Sequence, residues 1–151
     1  MKSVLSALAL LLLISAYLFV DFNKLYLSLS PKSELVLQKN CDLHKGPCSI
    51  VIANGEVLSL EIFPKDIPLM KTLHFKVHSS NQSLDKMHLK IYSRNMFMGS
   101  FDFVLKNTGK GYYETKGIIP TCIVGKMQWN ADLEILDKNK LIGARYQFNT
   151  E

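Results

Sequence analysis

Three cysteines are the first residues in this chain with chemistry to offer. Cys41 and Cys48 bracket the segment C-D-L-H-K-G-P-C, where Gly46 and Pro47 supply a turn. Cys122 stands far downstream, in I-I-P-T-C. In an oxidising compartment one pair closes and one thiol is left over. Proximity makes Cys41 with Cys48 the first choice of disulfide, and pairing of Cys122 with either of them stays open. The spacing is not Cys-x-x-Cys, so a thiol–disulfide protein built on that pair is a distant alternative.

Methionine is the second reactive residue type. Met96 and Met98 lie in N-M-F-M-G, and Met127 precedes Trp129 by two residues, which puts both on one side of a strand. Thioethers and thiolates are soft ligands that select Cu(I). The same side chain is also ordinary core filler. Four histidines complete the inventory: His44, His74, His78 and His88. His74 and His78 share the polar phase of one strand, yet an extended chain holds them about 13 Å apart, too far to share one ion. His44 sits between the paired cysteines, but its spacing matches no zinc signature. There is no G-x-S-x-G elbow, no H-E-x-x-H and no phosphate-binding glycine loop. The chain is therefore not expected to be an enzyme.

Two kinds of element must position these residues. The first is a leading apolar run. Residues 4–20 carry no charge, and Lys2 with the α-amino group supplies a short positive flank. That length reaches the lower limit for spanning a bilayer as a helix. A cleaved signal peptide is the competing reading, although its apolar stretch is usually shorter and ends in a small-x-small site. The expected organisation is a transmembrane anchor over 1–24, a juxtamembrane linker over 25–33 and an extracytoplasmic domain over 34–151, in the periplasm. Formal charge is +5 over 151 residues. Outside the anchor an excess of about four positive charges is spread as single lysines, without a block of like charge. Nucleic acid, which wants a concentrated basic patch, is not expected as a partner. A weak attraction to anionic lipid headgroups is compatible with the excess.

The second kind of element is the β-strand. Met87, Leu89 and Ile91 alternate with polar neighbours, as do Leu73, Phe75 and Val77, and Phe101, Phe103 and Leu105 apart from Val104. That period of two belongs to a half-solvated antiparallel sheet. Further strands are expected at 34–38, 48–53, 57–63, 112–116, 127–136 and 141–148. Asn54-Gly55 between two apolar runs marks a hairpin. With no amphipathic helix after residue 24, the expected fold is all-β: an immunoglobulin-like sandwich of seven to nine antiparallel strands behind one N-terminal helix.

The second half resembles the YtkA-like and FixH-like group of membrane-anchored extracytoplasmic domains. M-F-M-G at 96–99, G-Y-Y at 111–113 and I-P-T-C-I-V-G-K-M-Q-W at 119–129 carry the likeness, which covers roughly 60–136 together with the anchor. The resemblance implies an immunoglobulin-like sandwich, and for some relatives a link to copper supply or to assembly of respiratory complexes. It would make Met96, Met98, Cys122 and Met127 the candidate copper site, gathered at one end of the sandwich. Trp129 is expected in the core. Two functions follow from these readings. One is a tethered domain that handles Cu(I) for a membrane oxidase. The other is an accessory subunit, without metal, that docks on a membrane complex such as a respiratory oxidase through a loop or strand edge.

Overall fold

A computed structural model describes residues 33–150, apart from 83, 85, 122–124 and 138–139, and in addition Ser6. The expected anchor and linker, bar Ser6 and Ser33, lie outside the described residues, and so does Cys122. Among the described residues no helix is long and apolar enough to cross a membrane.

The unit that begins at Ser33 is all-β. Its strands are β1 (Ser33–Leu37), β2 (Cys48–Val51), β3 (Val57–Phe63), β4 (Thr72–Ser79), β5 (Met87–Ser93), β6 (Ser100–Gly109), β7 (Tyr112–Ile118), β8 (Met127–Asp137) and β9 (Lys140–Thr150). Alternation places them as expected. Leu73, Phe75 and Val77 of β4 are buried, while His74, Lys76 and His78 between them are exposed. Leu58, Leu60 and Ile62 of β3 and Met87, Leu89 and Ile91 of β5 complete the same inner surface, with Trp129 and Tyr146 at its centre.

The strands form one mixed sheet in the order β1-β9-β8-β5-β6-β7-β4-β3-β2. Two features differ from the sequence expectation. First, β1 runs parallel to β9, with Ser33 opposite Leu141 and Leu37 opposite Arg145, so the strands are not all antiparallel. A long connection from Gln38 to Pro47 separates β1 from β2, and this length frees β1 from hairpin geometry. Second, the sheet is continuous and nearly closes on itself. β6 serves both halves: residues 100–105 pair with β5, and 106–109 pair with β7 through an irregularity at Asn107–Gly109. Such a bulge bends and twists a strand, letting it turn the corner between two layers.

Closure at the far side rests on single side chains. Gln38 donates its backbone N–H to the carbonyl of Arg145 on β9 and its side-chain Nε2 to the carbonyl of Ser49 on β2, both at 2.8 Å. One residue thus links the two ends of the strand order. Tyr146 of β9 crosses the interior to donate its hydroxyl to the Leu58 carbonyl at 2.9 Å. Burial raises the pKa of that phenol, so it stays protonated and serves as a donor.

Register also sorts the loops. The β1–β2, β3–β4, β5–β6 and β7–β8 connections, with Thr150, gather at one end, here called the loop end. Ser33 and the β2–β3, β4–β5, β6–β7 and β8–β9 turns gather at the other. Gly111 sits in a turn of this second group, at φ +79°, and a Cβ there would lie 2.4 Å from the Ser79 carbonyl oxygen. Only glycine meets both conditions.

Candidate functional site

The β5–β6 loop carries Met96, Phe97 and Met98, and it is fastened rather than loose. The Arg94 N–H donates to the Gln128 carbonyl at 2.8 Å, which extends the β5–β8 ladder past the end of β5. Asn95 then spans Met127: its Nδ2 donates to the Lys126 carbonyl, and its Oδ1 accepts from the Gln128 N–H, each at 3.1 Å. Ser93 Oγ donates to Asn95 Oδ1 at 3.0 Å and accepts from the Met96 N–H at 3.3 Å. A short polar stretch, S-R-N, thereby locks the methionine-bearing loop onto the start of β8.

Within that frame the methionines differ. Met96 and Met98 are half-buried and pack against the core, while Phe97 between them is 99% exposed. Met127 is wholly enclosed in the core. The structure thus sets two half-buried methionines at the edge of the core and a third inside it, on neighbouring segments of one end. The backbone on either side of Cys122 reaches that end too. Among the described residues, no three His, Cys, Asp or Glu side chains are grouped to hold a metal ion.

Cys41 and Cys48 form the disulfide, with an S–S distance of 2.03 Å. That settles the pairing in favour of the nearer partners. The loop it closes is anchored at three further points. Leu43 is buried in the core. The His44 N–H donates to Asp42 Oδ1 at 3.0 Å. The His44 ring lies between two backbone carbonyls, with Nδ1 2.8 Å from Lys65 O and Nε2 2.8 Å from Asn149 O. His44 is thus a structural tie between the disulfide loop, the β3–β4 loop and β9, and its place between the cysteines reflects that bridging.

A second feature was not visible in the sequence. The outer face of β9-β8-β5 carries a cleft of about 470 Å³, lined among others by Lys90, Tyr92, Asp132, Glu134 and Arg145, with Phe97 and Met98 at its margin. At its floor Arg145 grips Asp132 with two bonds, Nε to Oδ1 at 2.7 Å and Nη2 to Oδ2 at 2.8 Å. The Tyr92 hydroxyl donates to Asp132 Oδ2 at 3.1 Å. The Asp132 side chain is only 4% exposed. Titration behaviour here departs from the ordinary. Burial pushes the Tyr92 phenol and the Glu134 carboxyl up, and Lys90 partly opposes the shift at Glu134. Hydrogen bonding to Asp132 raises Arg145 further. Asn130 and Asp132 are buried beneath Tyr92, Arg145 and Gln147 on the flanking strands, a cross-strand arrangement that alternation along one strand does not encode.

The described residues offer an exposed aromatic on a braced loop, two half-buried methionines beside it and a charge-balanced cleft. No protein-family model, curated protein or solved structure matches the chain.

Proposed function

We propose that this chain is a membrane-tethered extracytoplasmic accessory domain that docks a membrane protein complex through its loop end, with Phe97 as the anchor. The observation that carries the reading is Phe97 itself: fully exposed, yet at the tip of a loop held by five hydrogen bonds. Solvating a large aromatic on a preorganised support is unfavourable in isolation and favourable once a partner covers it. Met70 and Ile118 are exposed at the same end, where the Met70 N–H donates to the Ile119 carbonyl and ties the two loops. The domain receives the chain at Ser33, on the opposite end. We read the fold as immunoglobulin-like: β9-β8-β5 and β3-β4-β7 have the strand order of the two sheets of such a sandwich, joined here through β6.

A photo-crosslinking residue at position 97 tests the reading in cells. The expected result is a crosslink to a subunit of a membrane complex from position 97, and none from the exposed control position Val104 on β6. Equal labelling from both, or none from position 97, overturns it.

A second reading has its own observation. Met96 and Met98 are half-buried on a loop tied to Lys126 and Gln128, at the end of the domain to which β7 leads, and two thioethers so placed suit soft-metal capture. On this reading the domain handles Cu(I), as the resemblance to the YtkA-like and FixH-like group implies. Anaerobic Cu(I) titration of the full chain against a competing chelator should show one tight equivalent that Met96→Leu/Met98→Leu abolishes. Equal binding by the variant refutes it.

A further inference from the structure

The outer face of β3-β4-β7-β6 carries an ordered charge pattern. Register places Lys106 opposite Glu114, Glu114 opposite Lys76, and Lys76 opposite Glu61. This row alternates in sign across four strands, and such cross-strand pairs are mildly stabilising. The next row does not alternate: Phe63, His74 and Lys116 stand side by side. The ion pairs actually made leave positive charge over. Glu61 is taken by Lys65 at 2.9 Å, and Glu114 meets Lys76 only at 3.8 Å. Among the described residues neither Lys106 nor Lys116 has a carboxylate within ion-pair distance.

These leftover charges converge on a cavity of about 530 Å³ between β4, β7 and the bent end of β6. His74, Lys76, Lys106 and Lys116 line it, Thr108 adds a hydroxyl, and Glu114 is its single carboxylate. On the β3 side Phe63 lies under Lys76 at 5.5 Å, and under Lys65, which does not line the cavity, at 4.4 Å. Several ammonium donors around one concavity match a compact anion with several acceptor oxygens.

We propose that this cavity binds a phosphate group, with Lys106 and Lys116 as its principal donors and Glu114 as the competing internal anion. The site is on the opposite layer from the Arg145 cleft and does not depend on the docking or copper readings.

The test is calorimetric titration of the full chain at low salt with two probes, inorganic pyrophosphate and glycerol phosphate. Saturable binding of at least one is expected, weakened about tenfold or more in Lys106→Gln/Lys116→Gln with an unchanged urea midpoint. Removing the competitor in Glu114→Gln should tighten it severalfold. Preference for pyrophosphate assigns the site to free phosphates, and preference for glycerol phosphate assigns it to lipid headgroups. Absence of saturation with both probes, equal binding of citrate, or binding unchanged in the lysine variant overturns the proposal.

Discussion

Replacing Arg145 by methionine should cost far more than neutralising the residue it holds. Asp132 is 4% exposed and Arg145 is 35% exposed. Arg145→Met leaves the carboxylate in its enclosed site with a single remaining side-chain donor, the Tyr92 hydroxyl at 3.1 Å. Breaking a buried pair from one side costs about 3–5 kcal/mol in fully enclosed settings. Arg145 is partly solvated, so water gains access along its path, and we expect about 2–3 kcal/mol. The opposite substitution, Asp132→Asn, frees a guanidinium that can rehydrate where it stands, and its cost should stay near 1 kcal/mol, that of an ordinary hydrogen bond. The double variant should fall close to Asp132→Asn alone, because no buried charge is left unpaired. Urea unfolding of the full chain, read at a constant slope, gives all three values. Equal costs for the two single substitutions, or an Arg145→Met effect below about 0.5 kcal/mol, would refute the reasoning, since the pair would then behave as a surface salt bridge.

Three further outcomes follow from the same packing. Trp129 Nε1 donates to Thr150 Oγ1 at 2.9 Å in the core, so Thr150→Val should lose about 1–3 kcal/mol by urea unfolding, while Thr150→Ser retains most of the stability. Cys41→Ser opens an eight-residue loop, counted from Cys41 to Cys48, and by chain entropy should cost about 2.5 kcal/mol, with hydrogen exchange rising first around Leu43 and His44. Burial raises the folded pKa of Glu134, so the folded state holds that proton more tightly than the unfolded chain does. The stability this contributes is complete below the ordinary carboxylate value and is lost as pH rises through the raised one. Glu134→Gln should therefore melt higher than the wild type near pH 7, with the difference closing below about pH 4, and a pH-independent difference would contradict it.

Much of the fold was legible because burial on one face imposes a period of two. His74, Lys76 and His78 facing out against Leu73, Phe75 and Val77 facing in required only that rule. The Asn54-Gly55 turn and the nearer cysteine pair were legible for an equally local reason: each depends on a few adjacent residues. The parallel placement of β1 was not, because its partner is β9, more than a hundred residues away, and nothing in S-E-L-V-L states the direction of pairing. Closure by Gln38 was hidden for the same cause, since a glutamine at the end of the expected strand 34–38 does not state that its partners are Arg145 and Ser49.

The site was legible only in part, and the division has a physical basis. Sequence can say that a thioether is soft, but not which one water can reach. Met96, Met98 and Met127 were equal as ligands on paper. The fold separates them, because Met127 occupies an inward position of β8 while Met96 and Met98 lie half-buried on a loop tied to the start of β8 through Arg94 and Asn95. The residue most exposed on this loop is Phe97, which was not among the candidate site residues. A loop that evolved only to fill the core would turn its aromatic inward and its flexible thioethers outward, since the ring has more apolar area to hide. This loop does the reverse, and it does so beside a hydrogen-bond frame that ties Arg94, Asn95 and Met96 to Ser93 and the start of β8. The combination of a rigid frame and an uncovered ring argues for a surface shaped toward something else.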